Sequence, residues 1–214
     1  MNDEPPITGR LIINPARRGY SINYKNKTLL STVDPVTQAE RTAAGTKRQD
    51  RTLYFCPSPL FGYGLYTLLS GITADSAVLC IETDETLFDL SRSSIDKEIL
   101  NHSRMVLTGI RDGMELCRFV REKWGARMFR RVEVVNLTGG WQLDSNGYET
   151  MAELLRSSMA VDWSNAMTLV KLGRRFIYNV LRNLVLLNRE SSITDISFGS
   201  KPVLVLGAGP SMVE

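Results

Sequence analysis

Four short apolar runs, residues 53–56, 77–81, 105–108 and 132–137, are separated by stretches in which apolar positions recur every three or four residues. The runs show little of the polar alternation of a half-exposed strand, as expected of strands covered on both faces. Between them lie a helical segment at 65–70, a second containing Leu87, Phe88 and Leu90 that Asp84 can cap, and a third at 113–123. In the third, Met114, Leu116, Cys117, Val120 and Trp124 repeat at helical spacing. Strand and helix in this alternation predict an α/β fold, a Rossmann-like parallel sheet with helices on both faces.

The chain on either side of this core reads differently. Residues 11–13, 20–24 and 28–31 predict short strands, with Lys25, Asn26 and Lys27 as a hairpin turn, and together a small N-terminal antiparallel ribbon. Asp34 and Pro35 mark a helix start, the acid as cap and the proline at the first position, and the helix ends near Gly45. After breaks at Gly139, Gly140 and residues 145–147, the pattern predicts a long C-terminal helical segment over 148–187, bent near Asp162 or Gly173. There Trp163, Met167, Val170, Ile177, Val180, Leu181 and Leu184 form an apolar stripe read as core packing. Lys171, Arg174, Arg175 and Arg182 are its wet face. The expected organisation is a ribbon and short helix (1–48), a degenerate Rossmann-like domain (49–145), a helical connector (146–195) and the first strand and turn of a further domain (196–214). A strand and turn cannot bury themselves, so the chain is expected to be the N-terminal part of a longer protein.

The 43% apolar and 23% charged fractions are those of an ordinary globular chain. A net charge of +3 in 214 residues is too small to argue for nucleic acid or an anionic membrane. Of the three cysteines, far apart at 56, 80 and 117, Cys56 and Cys80 read as buried thiols, and an odd count without a C-x-x-C pair fits a reducing compartment. The polar, acidic start is unlike a signal peptide, and no apolar run reaches the length of a membrane span, so a cytoplasmic location is expected. His102, the one histidine, has no acidic or thiol partner nearby in sequence and reads as a capping or surface residue.

Two places carry candidate chemistry. The first follows the first central strand, where Phe61-Gly62-Tyr63-Gly64 precedes a helix and Glu82 ends the next strand. In nucleotide-binding folds an acid there takes ribose hydroxyls. Pro57 and Pro59 replace the first glycines and remove N–H donors, so a degenerate, ligand-free pocket built of Gly62, Gly64 and Glu82 competes with a working one, and a solvated strand-end acid is the plainer reading of Glu82. The second is Gly207-Ala208-Gly209-Pro210-Ser211 after the apolar run at 203–206. Met212 stands where a dinucleotide fingerprint needs its third glycine, so the pattern fits both a phosphate cradle and a plain strand-to-helix turn.

In order, the ribbon, Ser31-Thr32-Val33-Asp34-Pro35, Phe61-Gly62-Tyr63-Gly64, Glu82, Trp163-Ser164-Asn165 and Lys201-Pro202 leading into Gly207-Ala208-Gly209-Pro210-Ser211 resemble the N-terminal part of the motility-associated factor (Maf) proteins. These are bacterial flagellin glycosyltransferases related to archaeal pterin diphosphokinases. The resemblance implies that Gly207, Gly209, Pro210 and Ser211 line the nucleotide-phosphate pocket of a central domain that begins at 196–214. It also implies a CMP-activated nonulosonic acid as donor and flagellin Ser or Thr as acceptor for the full-length protein. No cofactor is expected in this chain, nor transfer by this chain alone. A pterin diphosphokinase-like phosphotransferase, or an accessory module for binding or self-association through the last strand or the long helix, remains open at this point.

Overall fold

The computed structural model describes residues 10–187. The chain divides into two units, one up to Ala166 and one from Met167. The expected α/β architecture is present: a four-stranded parallel sheet, a three-stranded antiparallel sheet and a long C-terminal helix.

Strands β1 (Ile12–Pro15), β2 (Tyr20–Tyr24) and β3 (Lys27–Thr28) form the antiparallel ribbon. Lys25 and Asn26 both have left-handed backbone, φ 48° and 60°, as a two-residue hairpin turn of this twist requires. The third strand is shorter than its apolar pattern predicts. Leu29 N–H still bonds Ile22 O at 2.8 Å and Leu30 O accepts from the Ser21 hydroxyl, while both side chains drop into a cluster with Ile22, Tyr24, Leu60 and Leu87. Helix α1 (Pro35–Gly45) starts as read: the Asp34 carboxylate accepts from Thr37 N–H, and proline opens the first turn.

The parallel sheet contains β4 (Thr52–Pro57), β5 (Ala77–Ile81), β6 (Met105–Thr108) and β7 (Arg131–Val134) in the order β6-β5-β4-β7. Every residue of β4 and β5 is buried. Leu53, Phe55, Leu79 and Ile81 face α5 (Gly113–Trp124) and the first part of α6 (Ser145–Leu187), through Leu116, Val120, Tyr148, Met151, Ala152, Leu155 and Met159. Tyr54, Cys56, Val78 and Cys80 face the opposite layer, with α2 (Leu65–Gly71) supplying Leu65, Leu68 and Leu69. Double-sided burial is why these strands read as unbroken apolar runs. Strand β7 ends earlier than its sequence pattern, at Val134, but Val135 N–H still bonds Phe55 O at 2.8 Å and Leu137 is buried.

Helices α3 (Glu85–Ser94) and α4 (Lys97–Leu100) connect β5 to β6. Asp84, Asp96 and Asp112 each cap the helix that follows them, so three predicted or unremarked acids have a local backbone role. His102 Nδ1 accepts from Arg104 N–H at 3.2 Å, a local turn contact in keeping with a capping role.

One expectation is corrected in α6. Trp163 is half-buried: its Nε1 donates to Phe129 O at 2.7 Å and its ring carries the guanidinium groups of Arg51 and Arg130 at 5.1 and 4.3 Å. Met167, Val170, Ile177, Val180, Leu181 and Leu184, read as core, are instead exposed. The helical period was correct, but periodicity reports a shared face and not what covers it. The apolar run at 203–206 and the turn holding Gly207, Gly209, Pro210 and Ser211 lie outside the described residues.

Candidate functional site

In an open parallel sheet, ligands bind beyond the carboxyl ends of the strands where the strand order reverses. Here that point lies between β4 and β7, and the two loops that leave these strands close on each other. Ser58 N–H extends the ladder to Ile81 O at 2.7 Å. Thr138 Oγ1 donates to Ser58 O at 2.7 Å and accepts from Gly140 N–H at 3.0 Å. Gly139 N–H bonds Leu29 O at 2.7 Å, tying the β7 loop to the ribbon. A Cβ on Gly140 would strike the Ser58 hydroxyl, so the space is filled by protein.

The β4 loop has an unusual backbone. Ser58 and Leu60 are both left-handed, φ 48° and 51°, and both are fully buried. Such conformations cost on the order of 1–3 kcal/mol for side-chain-bearing residues. The conformation places Ser58 Oγ 2.6 Å from Glu82 Oε2.

Glu82 is 2% exposed and is not the solvated strand-end acid that its position suggests. Besides Ser58, it accepts at Oε1 from Asp84 N–H at 3.1 Å and from the Tyr148 hydroxyl at 3.2 Å. Burial raises its pKa, against the lowering effect of the Ser58, Asp84 and Tyr148 hydrogen bonds. Tyr148 is also raised well above the ordinary phenol value, first by burial and then by the neighbouring Glu82 charge. Both carboxylate oxygens therefore already have protein donors, three for about four acceptor sites, and little of the carboxylate is left for a ribose.

Gly62 and Gly64 sit in close packing, the first against Ile95 and Leu65 and the second against Ala39. Both have positive φ, 73° and 81°. A Cβ on Gly62 would come within 2.8 Å of Ile95, and one on Gly64 within 2.7 Å of Ala39 O in α1. At these positions glycine serves turn geometry and the approach of neighbouring helices.

Beside Glu82 a cleft of about 780 Å³ opens among the N-terminal ends of α3, α5 and α6, with Tyr24 and Lys25 of the ribbon at its rim. Exposed helix N-termini attract anions, but these already have carboxylates. Asp84 accepts from Thr86 and Leu87, Asp112 from Glu115 and Asp144 from Gly147. The cleft lining carries four acids (Glu82, Asp84, Glu85, Asp144) and two cations, Lys25 and Arg111. Lys25 Nζ pairs with Asp84 at 2.8 Å and Arg111 with Glu85 at 3.2 Å. Partial burial would raise the Asp84 carboxyl, but Lys25, Leu87 N–H and Tyr24 outweigh it and lower it; the same bond to Asp84 raises Lys25. A polyphosphate would meet capping carboxylates and an excess of negative charge. Hydroxyl-rich or cationic groups suit the lining better.

Among the described residues no group of three His, Cys, Asp or Glu side chains is arranged to hold a metal ion, and no helix is long and apolar enough to cross a membrane. Ser58, Thr138 and Tyr148 did not stand out in the sequence. Ser58 had one signal, its place between two prolines. Tyr148 had none, because it meets Glu82 across 66 residues of chain.

No protein-family model matches the chain. It is similar to an uncharacterized protein of Treponema pallidum (strain Nichols), with 26% identity over 213 residues. The match covers 98% of this chain and 37% of that protein, so the chain spans little more than a third of the relative's length.

Proposed function

We propose that this chain is a non-catalytic Rossmann-like module, the N-terminal portion of a Maf-like transferase that moves a CMP-activated nonulosonic acid to flagellin. In this reading it holds and positions, and the donor phosphate is handled by the turn containing Gly207, Gly209, Pro210 and Ser211 together with sequence beyond it. The observation that supports the non-catalytic part is the filled switch point: Ser58, Thr138 and Gly140 occupy the crevice, and Glu82 has spent both oxygens on protein donors. The transferase part comes from the sequence resemblance.

Calorimetry of the 214-residue chain with S-adenosylmethionine, NAD and CMP tests the first part. The expected result is no micromolar binding of any of the three. Micromolar affinity that disappears in Glu82→Gln would overturn it. For the second part, the longer protein is assayed for transfer from a CMP-nonulosonic acid to flagellin by intact mass. Gly209→Val should abolish transfer while leaving circular dichroism unchanged, because a branched side chain fills the space a phosphate needs.

A further inference from the structure

The acids at the carboxyl ends of the parallel strands have a counterpart at the amino ends. Residues 46–51 and 125–131, which lead into β4 and β7, carry six cations (Lys47, Arg48, Arg51, Arg127, Arg130 and Arg131) and one acid, Asp50. Among the described residues none of the six forms an ion pair. Two further charges at this end are engaged locally. Arg104 donates to Thr73 O at 2.8 Å and Ile72 O at 3.3 Å, and Asp75 accepts from the Thr73 hydroxyl at 2.7 Å. The small net charge of the chain therefore hides a separation of charge along the strands.

The cluster is held in place. Arg131 is in register with Thr52 across the β4–β7 pair, and Arg130 N–H bonds Arg51 O at 2.7 Å. The buried Tyr54 hydroxyl donates to Lys47 O and accepts from Gln49 N–H, each at 3.0 Å. The buried Ser76 hydroxyl donates to Gln49 O at 3.1 Å and accepts from Thr52 N–H at 3.0 Å. Arg51 has φ 53°, a left-handed backbone that a long side chain rarely adopts. Its guanidinium and that of Arg130 lie over the Trp163 ring, which the bond from Nε1 to Phe129 O fixes in turn. A ring takes the face of a guanidinium and leaves its N–H edge able to grip oxygens in pairs.

A ligand for this cluster must bring several negative charges into a small space. One carboxylate or one monophosphate neutralises only part of it. Condensed phosphate has the charge density, and its oxygens match the guanidinium fork. Trp163 already carries two guanidinium groups, so a base finds no free ring there to stack on. We propose that Arg51, Arg130 and Arg131, flanked by Lys47, Arg48 and Arg127, bind a chain of condensed phosphates, as in inorganic tripolyphosphate or the triphosphate of a nucleotide. The site lies at the opposite end of the strands from the acidic cleft, and it is independent of the transferase reading.

Calorimetry of the 214-residue chain with sodium tripolyphosphate tests it. Micromolar binding that weakens as salt is raised is expected. CTP should bind within about threefold of tripolyphosphate, because the phosphates alone are gripped, and CMP should not bind at that level. Arg130→Gln should weaken tripolyphosphate by about fivefold or more. Arg131→Gln should do the same at an exposed position away from the Trp163 ring, which keeps the test valid if the first variant disturbs folding. Arg92→Gln, which removes one exposed charge from α3, should leave binding unchanged. Absence of tripolyphosphate binding overturns the proposal, as does an equal loss in Arg92→Gln, which would reduce it to overall charge. CTP binding tighter than tripolyphosphate by more than about tenfold would point to a site that reads the base, and overturns it too. So does a single-stranded oligouridylate that binds and is not displaced by tripolyphosphate.

Discussion

Glu82 sets the pH behaviour expected of the folded chain. Its pKa is raised above the ordinary glutamate value of 4.5 because it is buried, despite three donors. As pH rises through that ordinary value, the unfolded chain loses this proton first while the folded chain keeps it. The folded state then binds more protons, and stability falls with rising pH until the folded pKa is passed. Glu82→Gln lacks this titration. The stability of the wild type relative to Glu82→Gln should therefore be greatest near pH 4 and decline toward neutrality, read from urea midpoints across that range. A difference independent of pH would show that Glu82 titrates as it does in water. Glycine offers a second contrast at this scale. Gly64→Ala forces a side chain onto φ 81° and against Ala39 O, at a cost of roughly 2 kcal/mol or more. Gly45→Ala, at the end of α1 with nothing within 4 Å, should be neutral or stabilising by about 0.5–1 kcal/mol. Urea midpoints of the two variants check the ordering.

Among the elements, α6 is seated on the sheet by Tyr148, Met151, Ala152, Leu155 and Met159, and Trp163 anchors its next turn. One hydrogen bond to Phe129 O and two guanidinium groups on the ring hold it. Trp163→Ala should cost about 2–4 kcal/mol in thermal or urea unfolding, whereas Arg51→Ala alone should cost under about 1 kcal/mol because Arg130 still covers the ring. The elements themselves were legible in the sequence where local chemistry sets them. Asp34 before Pro35 and Asp84 before its helix act through their own backbone neighbours, and the buried runs at β4 and β5 carry their double-sided burial in composition. What was not legible depends on distant partners. Leu29 and Leu30 have strand-like side chains but are drawn into the ribbon's core. The stripe beyond Met167 has a core's period without a described cover. The site was legible only as a place: Glu82 does end β5 beside a cleft, but its hydroxyl donors come from Ser58 and Tyr148, at separations of 24 and 66 residues.

For the molecule as a whole, the strand order β6-β5-β4-β7 puts the first strand of the sheet in its interior, paired with β5 on one side and β7 on the other. During synthesis those two sides close at different times. β5 and β6 follow β4 promptly, but Arg131 is made 74 residues after Pro57, counting 131 − 57. At roughly 5–20 residues per second that is about 4–15 s. Throughout it, the N–H and C=O groups of Thr52–Pro57 that β7 will satisfy remain an open apolar edge, and the ties from Thr138 to Ser58 and from Gly139 to Leu29 do not yet exist. Ribosome-bound chains arrested before Arg131 should be retained by holdase chaperones and cut readily by protease, while chains released after Ala166 should be neither. Among the described residues the nascent protein thus has a long vulnerable interval, set by the position of β4 in the sheet, and its yield in a cell should depend on translation speed between β4 and β7.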